Sequence, residues 1–306
     1  MRIAIVGQQD FGKAVLEAFL ARGDTVGAVF CAPEKEGARP DALRVAAQEK
    51  GLPVHQLKSL KAPEAVAAMK AAGADLGIMA FVLQFAPQDF VNTPRHGTLQ
   101  YHPSLLPKYR GPSSINWPIS RGEKQTGLTI FRPTDGLDEG AVVLQKKTPI
   151  GENDTLGNVY FERLFPMGVQ AMLEAADLVV AGKHTETVQD ESKATYEGWF
   201  REAEARIHWA SHVDAIHDLI RGSDPAPGAW TTLGGAKLQL FDSRKEPVRT
   251  FSAVRGKIGE VLGVEDGRLV VTAQGGRIHA GKVKLGDGKK VAAAEAGIAK
   301  GQILGT

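Results

Sequence analysis

The sequence has 306 residues, which is enough for two domains of ordinary size. Its hydrophobic share of 43% and charged share of 24% are ordinary for a globular protein, and its net charge of +2 argues against a protein built mainly to neutralise phosphates. A single cysteine, Cys31, excludes an intrachain disulfide and a multi-cysteine zinc site, so we expect no bound metal. No apolar run reaches the ~18 residues that span a membrane, and we expect a cytoplasmic protein without a membrane partner.

Strands and helices are predicted to alternate over the first 81 residues. Helical spacing of apolar residues predicts three helices, with Asp41 as the N-cap of the second, at residues 11–21, 41–50 and 62–72. Short apolar runs between them predict buried strands at residues 2–7, 25–31, 54–57 and 76–81. This alternation predicts an α/β protein with an open, mostly parallel, doubly wound sheet.

The first turn between strand and helix nearly matches a phosphate-binding P-loop. Gly7, Gly12 and Lys13 have the required spacing, but Ala14 stands where that motif needs a hydroxyl for Mg²⁺. The turn also lacks the glycine pattern of a dinucleotide site. We therefore expect a tight turn whose helix amides can hold an anion, rather than a nucleotide site.

One histidine lies where an extended run meets a proline-rich loop. Pro103 pushes His102 away from helical geometry, and Pro107 and Gly111 break regular structure after it. A lone histidine in a turn is more often structural than functional. An imidazole at a strand end nevertheless suits proton transfer near neutral pH.

A second loop carries several carboxylates after another strand. The run at residues 128–131 predicts a strand, and the turn that follows holds Asp135, Asp138 and Glu139. Taken alone, this pattern is typical of a solvated turn. In an open α/β sheet, however, functional sites gather outside the carboxyl ends of the strands. A histidine and an aspartate that both follow strands can therefore form an acid–base pair.

The rest of the chain is predicted to complete one domain and to form another. We expect a helix at residues 113–120, a strand at 141–149 and one long helix at 155–181, which Thr155 caps and Gly182 ends. After a further helix at residues 213–221, short extended runs between Gly and Asp turns predict a small β-barrel. These runs are residues 229–233, 236–241, 259–264, 268–272, 276–280 and 282–285.

The polar, irregular stretch at residues 183–203 is interpreted as a linker. It would join a catalytic domain at residues 1–182 to a barrel domain at residues 204–306.

Two motifs resemble the signature of the 10-formyltetrahydrofolate-dependent formyltransferases. The first is His-Pro-Ser-Leu-Leu-Pro-x-x-Arg-Gly at residues 102–111, and the second is Asp-Gly-Leu-Asp-x-Gly at residues 135–140, with Asp135 and Asp138 as its acids. Within that family, the chain looks most like the amino-terminal hydrolase domain of 10-formyltetrahydrofolate dehydrogenase. That likeness covers nearly the whole chain and is carried by residues 94–97, 101–104, 115–117, 194–198, 220–222 and 227–230.

The resemblance implies a formyltransferase-like sheet, an OB-like carboxy-terminal barrel, and 10-formyltetrahydrofolate as the formyl donor. His102 would be the main proton carrier and an oxyanion partner. Asp138 would orient His102, hold a water molecule and accept the proton of the nucleophile. Most of the family has an asparagine two residues before the histidine, and Gln100 would donate to the oxyanion from that position with a reach that differs by about 1.5 Å.

The resemblance also implies which residues bind the folate. A loop after the strand at residues 76–81 would cradle the pterin with backbone groups and apolar walls, and a turn after His102 would lie beside the folate. The implied substrate-binding residues are Phe81, Leu83, Gln84, Phe85, Ala86, Ser104, Leu105, Leu106, Pro107 and Asp135. Arg110 is expected to brace its loop rather than to bind a substrate carboxylate.

The sequence does not decide which molecule accepts the formyl group. Water or a small amine would give a hydrolase or a simple transferase, and the end of the sequence at Thr306 leads us to expect no NADP-dependent oxidation. Methionyl-tRNA formyltransferase is the main alternative, although residues 32–40 mix Glu34 and Glu36 with Lys35 and are not a basic clamp. A sugar-nucleotide formyltransferase and a folate-binding protein without turnover are further alternatives.

Overall fold

The computed structural model describes residues 1–248 and 256–305 and contains helices and strands in the predicted alternation. The helices are α1 (Gln9–Ala21), α2 (Ala42–Glu49), α3 (Pro63–Ala72), α4 (Gln88–Val91), α5 (Asn116–Ser120), α6 (Phe165–Val180) and α7 (Val213–Gly222). The strands are β1 (Arg2–Gly7), β2 (Thr25–Cys31), β3 (Val54–Gln56), β4 (Leu76–Ala80), β5 (Thr98–His102), β6 (Gln125–Phe131), β7 (Val142–Pro149), β8 (Ala229–Leu233), β9 (Ala236–Pro247), β10 (Val261–Glu265), β11 (Arg268–Ala273), β12 (Gly276–Leu285) and β13 (Val291–Ala292).

These elements group into two compact units that alternate along the sequence. The first unit is Met1–Gly111, Gly127–Lys147 and Arg163–Tyr196, and the second is Pro112–Thr126, Thr148–Glu162 and Glu197–Thr306. The predicted division into a catalytic domain at residues 1–182, a linker at residues 183–203 and a barrel domain at residues 204–306 stays a prediction.

The larger sheet has seven strands in the order β3-β2-β1-β4-β5-β6-β7. Neighbouring strands from β3 to β5 are parallel, whereas β6 runs antiparallel to β5. Strands β1 and β4 are neighbours in space but not in sequence, because the chain builds one half of the sheet outwards from β1 and the other outwards from β4. This reversal opens a crevice beyond the carboxyl ends of β1 and β4, with β5 beside it. The predicted doubly wound fold is confirmed.

The core of this sheet follows from its apolar strands. Every residue of β4 is buried, as are Ile3 to Gly7 of β1. On one face, the rings of Phe11, Tyr101 and Phe165 pack together, with centroid distances of 4.3 and 5.4 Å from Phe11 to the other two. Gly168 of α6 leaves space for them, since a Cβ there would lie 2.7 Å from the Tyr101 ring.

The predicted helix over residues 155–181 is present, since residues 156–180 are helical and the Asn158 amide donates to the hydroxyl of the predicted N-cap, Thr155, at 3.2 Å. It is not α-helical throughout, because Asn158–Leu164 forms a wider π-helical segment before the α-helix Phe165–Val180. Pro166 explains the wider turn, because it has no amide hydrogen to donate to the preceding turn. The helix ends as predicted before Gly182, whose φ of 64° belongs to the left-handed region that glycine adopts freely.

The second unit contains an antiparallel sheet in the order β10-β11-β12-β9-β8, with β13 paired to β12. Residues near the carboxyl terminus bridge its two edges, because Leu304 pairs with Leu233 of β8 and Ile303 pairs with Glu260 next to β10. Helix α7 covers this sheet with Val213, Ile216 and Ile220, which are almost completely buried. This arrangement agrees with the predicted small carboxy-terminal barrel.

Within the described residues, none of the helices combines the length and the apolar character that crossing a bilayer requires.

Candidate active site

His102 is the last residue of β5, and its ring is held from both sides. It is 6% exposed, and its Nε2 lies 2.8 Å from the backbone oxygen of Tyr109. A carbonyl oxygen only accepts hydrogen bonds, so Nε2 carries a hydrogen in this arrangement. The other ring nitrogen, Nδ1, lies 3.5 Å from Oδ2 of Asp138. Nδ1 is therefore the nitrogen that can exchange a proton beside the carboxylate.

Asp138 reaches this position by a route that the sequence did not predict. Strand β6 is antiparallel to β5 and pairs its last residue, Phe131, with Gln100 in the middle of β5. Asp138 therefore follows a strand, as predicted, but that strand runs opposite to the one that ends at His102. The loop at residues 132–141 instead returns along β5, closed by the bond from the Arg132 amide to the Ala141 oxygen at 2.9 Å.

Two features fix the Asp138 side chain within that loop. Its φ of 56° is a left-handed conformation, which aspartate tolerates better than most residues. Its Oδ2 accepts a hydrogen bond from the Gly111 amide at 2.8 Å, and the residue is only 8% exposed. The predicted pairing of His102 with Asp138 is thus present as a buried contact slightly longer than a direct hydrogen bond.

Gln100 lies on the same face of β5 as His102, because side chains two residues apart point to the same side of a strand. It is half-buried, and its strand neighbours are Met79 on β4 and Phe131 on β6. The structure therefore places Gln100 on the face of β5 that also carries His102, two residues before it.

The turn after His102 is fixed by side chains from neighbouring strands. Thr129 donates to the Ser104 backbone oxygen at 2.7 Å and accepts from the Leu106 amide at 3.2 Å. Gln145 donates to the Leu106 oxygen at 3.0 Å, and the Ser104 hydroxyl donates to the Lys108 oxygen at 2.7 Å. The predicted residues Ser104, Leu105, Leu106 and Pro107 thus form one braced turn. The sequence did not single out Thr129 or Gln145, which are ordinary strand residues by pattern.

Arg110 braces the next part of the loop, as predicted. Its side chain is fully buried and donates to Gln189, to both Glu191 oxygens at 2.6 and 2.9 Å, and to the Tyr196 hydroxyl. The bond to the Glu191 carboxylate raises the pKa of the guanidinium further above its usual value. Arg110 therefore stays charged and anchors the loop.

The segment that the sequence indicated as linker contacts this loop directly. The amides of Tyr109 and Arg110 donate to Thr195, at 2.8 Å to its hydroxyl and 2.9 Å to its backbone oxygen. The amide of Thr195 donates in turn to the Pro107 oxygen at 3.2 Å. Residues 189–196 are thus part of the support of the site.

The predicted pterin loop follows β4, one strand away from His102. Its apolar side chains are unusually exposed, at 38% for Phe81, 58% for Leu83 and 45% for Phe85. Gln84 holds the loop by donating to the Leu57 oxygen at 2.8 Å, and Ala86 is buried. Exposed rings and backbone groups beside a crevice can receive a flat heterocycle.

Two predicted features do not join this cluster. Asp135 is exposed on the loop before Asp138. The first turn of α1 already binds an anionic side chain of the protein itself, because the Gln9 amide donates to Oδ2 of Asp41 at 2.7 Å. The same carboxylate caps α2 through Leu43 and Arg44, which confirms Asp41 as the predicted N-cap. That carboxylate already occupies the first amide that the turn could offer to an anion.

Neither a thiol nor a metal centre competes as an alternative site. Burial raises the pKa of Cys31 to about 11, so the thiol packs rather than reacts at neutral pH. Within residues 1–248 and 256–305, no group of three or more His, Cys, Asp or Glu side chains is arranged to hold a metal ion.

A doubly wound sheet with a buried His–Asp pair at the end of β5 defines an α/β protein with a candidate acid–base site. Comparison with known families identifies it further, and the chain belongs to the formyl transferase family. The model described as "Formyl transferase" matches residues 1–176, and "Formyl transferase, C-terminal domain" matches residues 200–299. The family predicted from the two motifs is thereby confirmed.

Individual relatives differ in their named activity. The cytosolic 10-formyltetrahydrofolate dehydrogenase of Mus musculus is 42% identical over 248 residues, which is 79% of this chain but only 27% of that protein. The methionyl-tRNA formyltransferase of Ruegeria pomeroyi is 37% identical over 267 residues, or 86% of each chain. The crystal structure of HypX from Aquifex aeolicus with tetrahydrofolic acid has a TM-score of 0.70 at 20% identity, over 96% of this chain and 46% of that one, and so shares the fold.

Proposed function

We propose that this protein releases the formyl group of 10-formyltetrahydrofolate to water, giving formate and tetrahydrofolate. The observation that carries the proposal is the buried contact of 3.5 Å between His102 Nδ1 and Asp138 Oδ2. The identity of 42% to part of a 10-formyltetrahydrofolate dehydrogenase supports the same donor. The chain spans 27% of that relative, so only the formyl-releasing half-reaction is proposed.

The proposed reaction gives each of the three polar side chains a role. A water molecule at His102 and Asp138 gives up a proton to the Asp138 carboxylate as its oxygen attacks the formyl carbon, and Asp138 passes that proton on to His102. The Gln100 amide donates to the oxyanion that forms on the formyl oxygen. The carbon–nitrogen bond then breaks, and the proton passes from His102 to the N10 nitrogen of the leaving tetrahydrofolate.

Binding of the folate is assigned to the two loops that flank this pair. We propose that the pterin lies against Phe81, Leu83 and Phe85, and that the turn at residues 104–107 contacts the rest of the folate. The exposure of these three apolar side chains supports this assignment, because exposed apolar patches often mark binding surfaces. We assign the chemistry to a catalytic domain at residues 1–182 and place the protein in the cytoplasm, where its named cytosolic relatives act.

A second candidate is methionyl-tRNA formyltransferase, which is favoured by the even coverage of 86% of both chains. The loop at residues 32–40 argues for the hydrolase. Its Glu34 accepts from the Asp41 amide and from Arg44, and these bonds lower the pKa of Glu34 to about 2. Arg44 is thereby paired with an acidic side chain and is not available as a free cation for a phosphate backbone.

Product analysis separates the candidates. The protein is incubated with 10-formyltetrahydrofolate, and formate and tetrahydrofolate are quantified with and without methionyl initiator tRNA. We expect equal amounts of formate and tetrahydrofolate without tRNA. Formylation of the tRNA, with no formate in its absence, would establish the second candidate. Formyl transfer to an amino sugar nucleotide, or folate binding without turnover of any acceptor, would also overturn the hydrolase.

A further inference from the structure

Gln189 uses all the hydrogen-bonding capacity of its side-chain amide inside the protein. It is 6% exposed and lies in the segment that the sequence indicates as linker. Its Oε1 accepts from Nε and Nη2 of Arg110, at 3.1 and 2.8 Å. Its Nε2 donates to the backbone oxygens of Asp138 and Gly140, at 2.8 and 2.7 Å. Such a complete set leaves the side chain a single orientation.

The two groups that Gln189 joins flank the catalytic pair. Arg110 stands between Tyr109, whose oxygen accepts from His102, and Gly111, whose amide donates to Asp138. The other end of Gln189 holds the backbone of Asp138 itself, in its left-handed conformation. A closed ring of contacts therefore runs from His102 through residues 109–111 and Gln189 to Asp138.

We propose that Gln189 is a positioning residue that sets the separation between the His102 ring and the Asp138 carboxylate. This inference rests on the proposed function for its effect on rate. Glutamine is suited to the position because one side chain must both accept and donate. A glutamate keeps the bonds to Arg110 but cannot donate to the two backbone oxygens, and a leucine removes all four bonds.

Glu191 provides a matched control. It is another side-chain partner of Arg110 in this segment, it is 64% exposed, and its bonds reach Arg110 rather than the backbone of the Asp138 loop. Substitution of Glu191 therefore weakens the anchoring of Arg110 and leaves the link to Asp138 in place. Any effect specific to Gln189 then reports on the position of Asp138.

The experiment compares Q189E and Q189L with E191Q in release of formate from 10-formyltetrahydrofolate across pH. We expect kcat to fall on the order of 10²-fold in both Gln189 variants, because small misplacements of reacting groups have costs of that size. The KM for the folate stays near that of the wild type, since Gln189 does not contact the loop at residues 81–86. The pH dependence of kcat changes in Q189E and stays unchanged in E191Q.

Titration of the His102 ring by ¹⁵N NMR gives a second readout that does not depend on turnover. We expect Q189E to alter this titration and E191Q to leave it unchanged. Equal loss of kcat in Q189E and E191Q, with identical pH profiles and identical NMR titrations, would overturn the inference. Q189E keeps the partner of Arg110, so it remains informative if Q189L fails to fold. A wild type that releases no formate refutes the proposed function, while the NMR comparison still decides the role of Gln189.

Discussion

Asp138 presents the same carboxylate oxygen, Oδ2, to the Gly111 amide at 2.8 Å and to His102 Nδ1 at 3.5 Å. The first contact is an ordinary hydrogen bond that fixes the carboxylate, and the second is longer than one. The carboxylate is thus oriented by the loop that follows β5 and not by the histidine. This arrangement leaves room for the histidine contact to shorten when substrate binds, as catalytic hydrogen bonds often do.

Substitution of His102 with alanine should abolish most turnover and spare folate binding. The change removes the proposed proton carrier, whereas the proposed pterin contacts lie on another loop. We expect a loss of about 10²-fold or more in formate release. Single-turnover assays and a fluorescence titration with a folate analogue measure the two effects, and a rate equal to the wild type would contradict the role of His102.

Substitution of Asp138 with asparagine tests the carboxylate with little change in shape. Asparagine also tolerates the left-handed backbone of this position, and its amide oxygen can still accept from Gly111. We expect kcat to fall on the order of 10²-fold, because the group that stabilises a charged His102 is lost. An unchanged melting temperature serves as the folding control, and unimpaired kcat would show that Asp138 is only structural.

Substitution of Gln100 with asparagine tests the oxyanion assignment. The shorter amide restores the residue usual in the family, so we expect formyl transfer to small amines to be kept or improved. Q100L serves as the matched control, because it has similar volume but no donor. We expect Q100L to lose about 10²-fold in kcat, as removal of an oxyanion donor does elsewhere. Identical kinetics in both variants would place Gln100 outside the site.

Substitution of Arg110 with methionine should destabilise the fold. The change leaves the buried Gln189 oxygen without its two donors, which we expect to cost about 1–3 kcal/mol in the free energy of unfolding. Lys193 provides the control in the same segment, since its pair with Asp190 is exposed and such pairs add little to stability. Urea denaturation of R110M and K193M measures both, and similar midpoints would contradict the bracing role.

The second unit should show a pH-dependent stability that originates in His217. Burial lowers the pKa of this ring, which contacts Ser243 and the backbone oxygen of Glu152. Below the usual value of 6.5, the unfolded chain binds a proton that the folded His217 resists, so stability falls as the pH drops from 7 towards 5.

Thermal unfolding of the wild type, H217Q and the exposed-residue control H208Q across this range tests the expectation. We expect H217Q to have a shallower pH dependence than the wild type, and H208Q to match the wild type. Parallel curves for all three proteins would show that His217 does not contribute.

The fold was largely predictable because its signals are local. Apolar runs such as those of β1 and β4, and helix signals such as Asp41 and Gly182, act within a few residues of each other. The helix at residues 155–181 was predicted, but not its π-helical segment, because apolar spacing does not reveal the wider turn before Pro166. The sequence also left the direction of β6 open, because a strand's orientation in a sheet depends on pairing that its own residues do not encode.

The candidate site was predictable only in part, for a different reason. His102 and Asp138 stand out as reactive side chains in motifs, and the structure brings them together. Gln189, Thr195 and Thr129 act through hydrogen bonds to backbone groups that are distant in sequence. Their residue types carry no signal of that role, and a polar stretch around Gln189 looks the same whether it supports a site or joins two domains.

The carboxylate of Asp41 limits the binding of other anions at the first turn of α1. A tethered carboxylate competes with any free anion at a very high local concentration, so a phosphate could take the Gln9 amide only by displacing it. A free phosphate therefore meets an obstacle at this turn that an uncharged molecule does not meet. Replacing Asp41 with serine, which can still cap α2, would open the turn to inorganic phosphate, and isothermal titration with phosphate measures that binding.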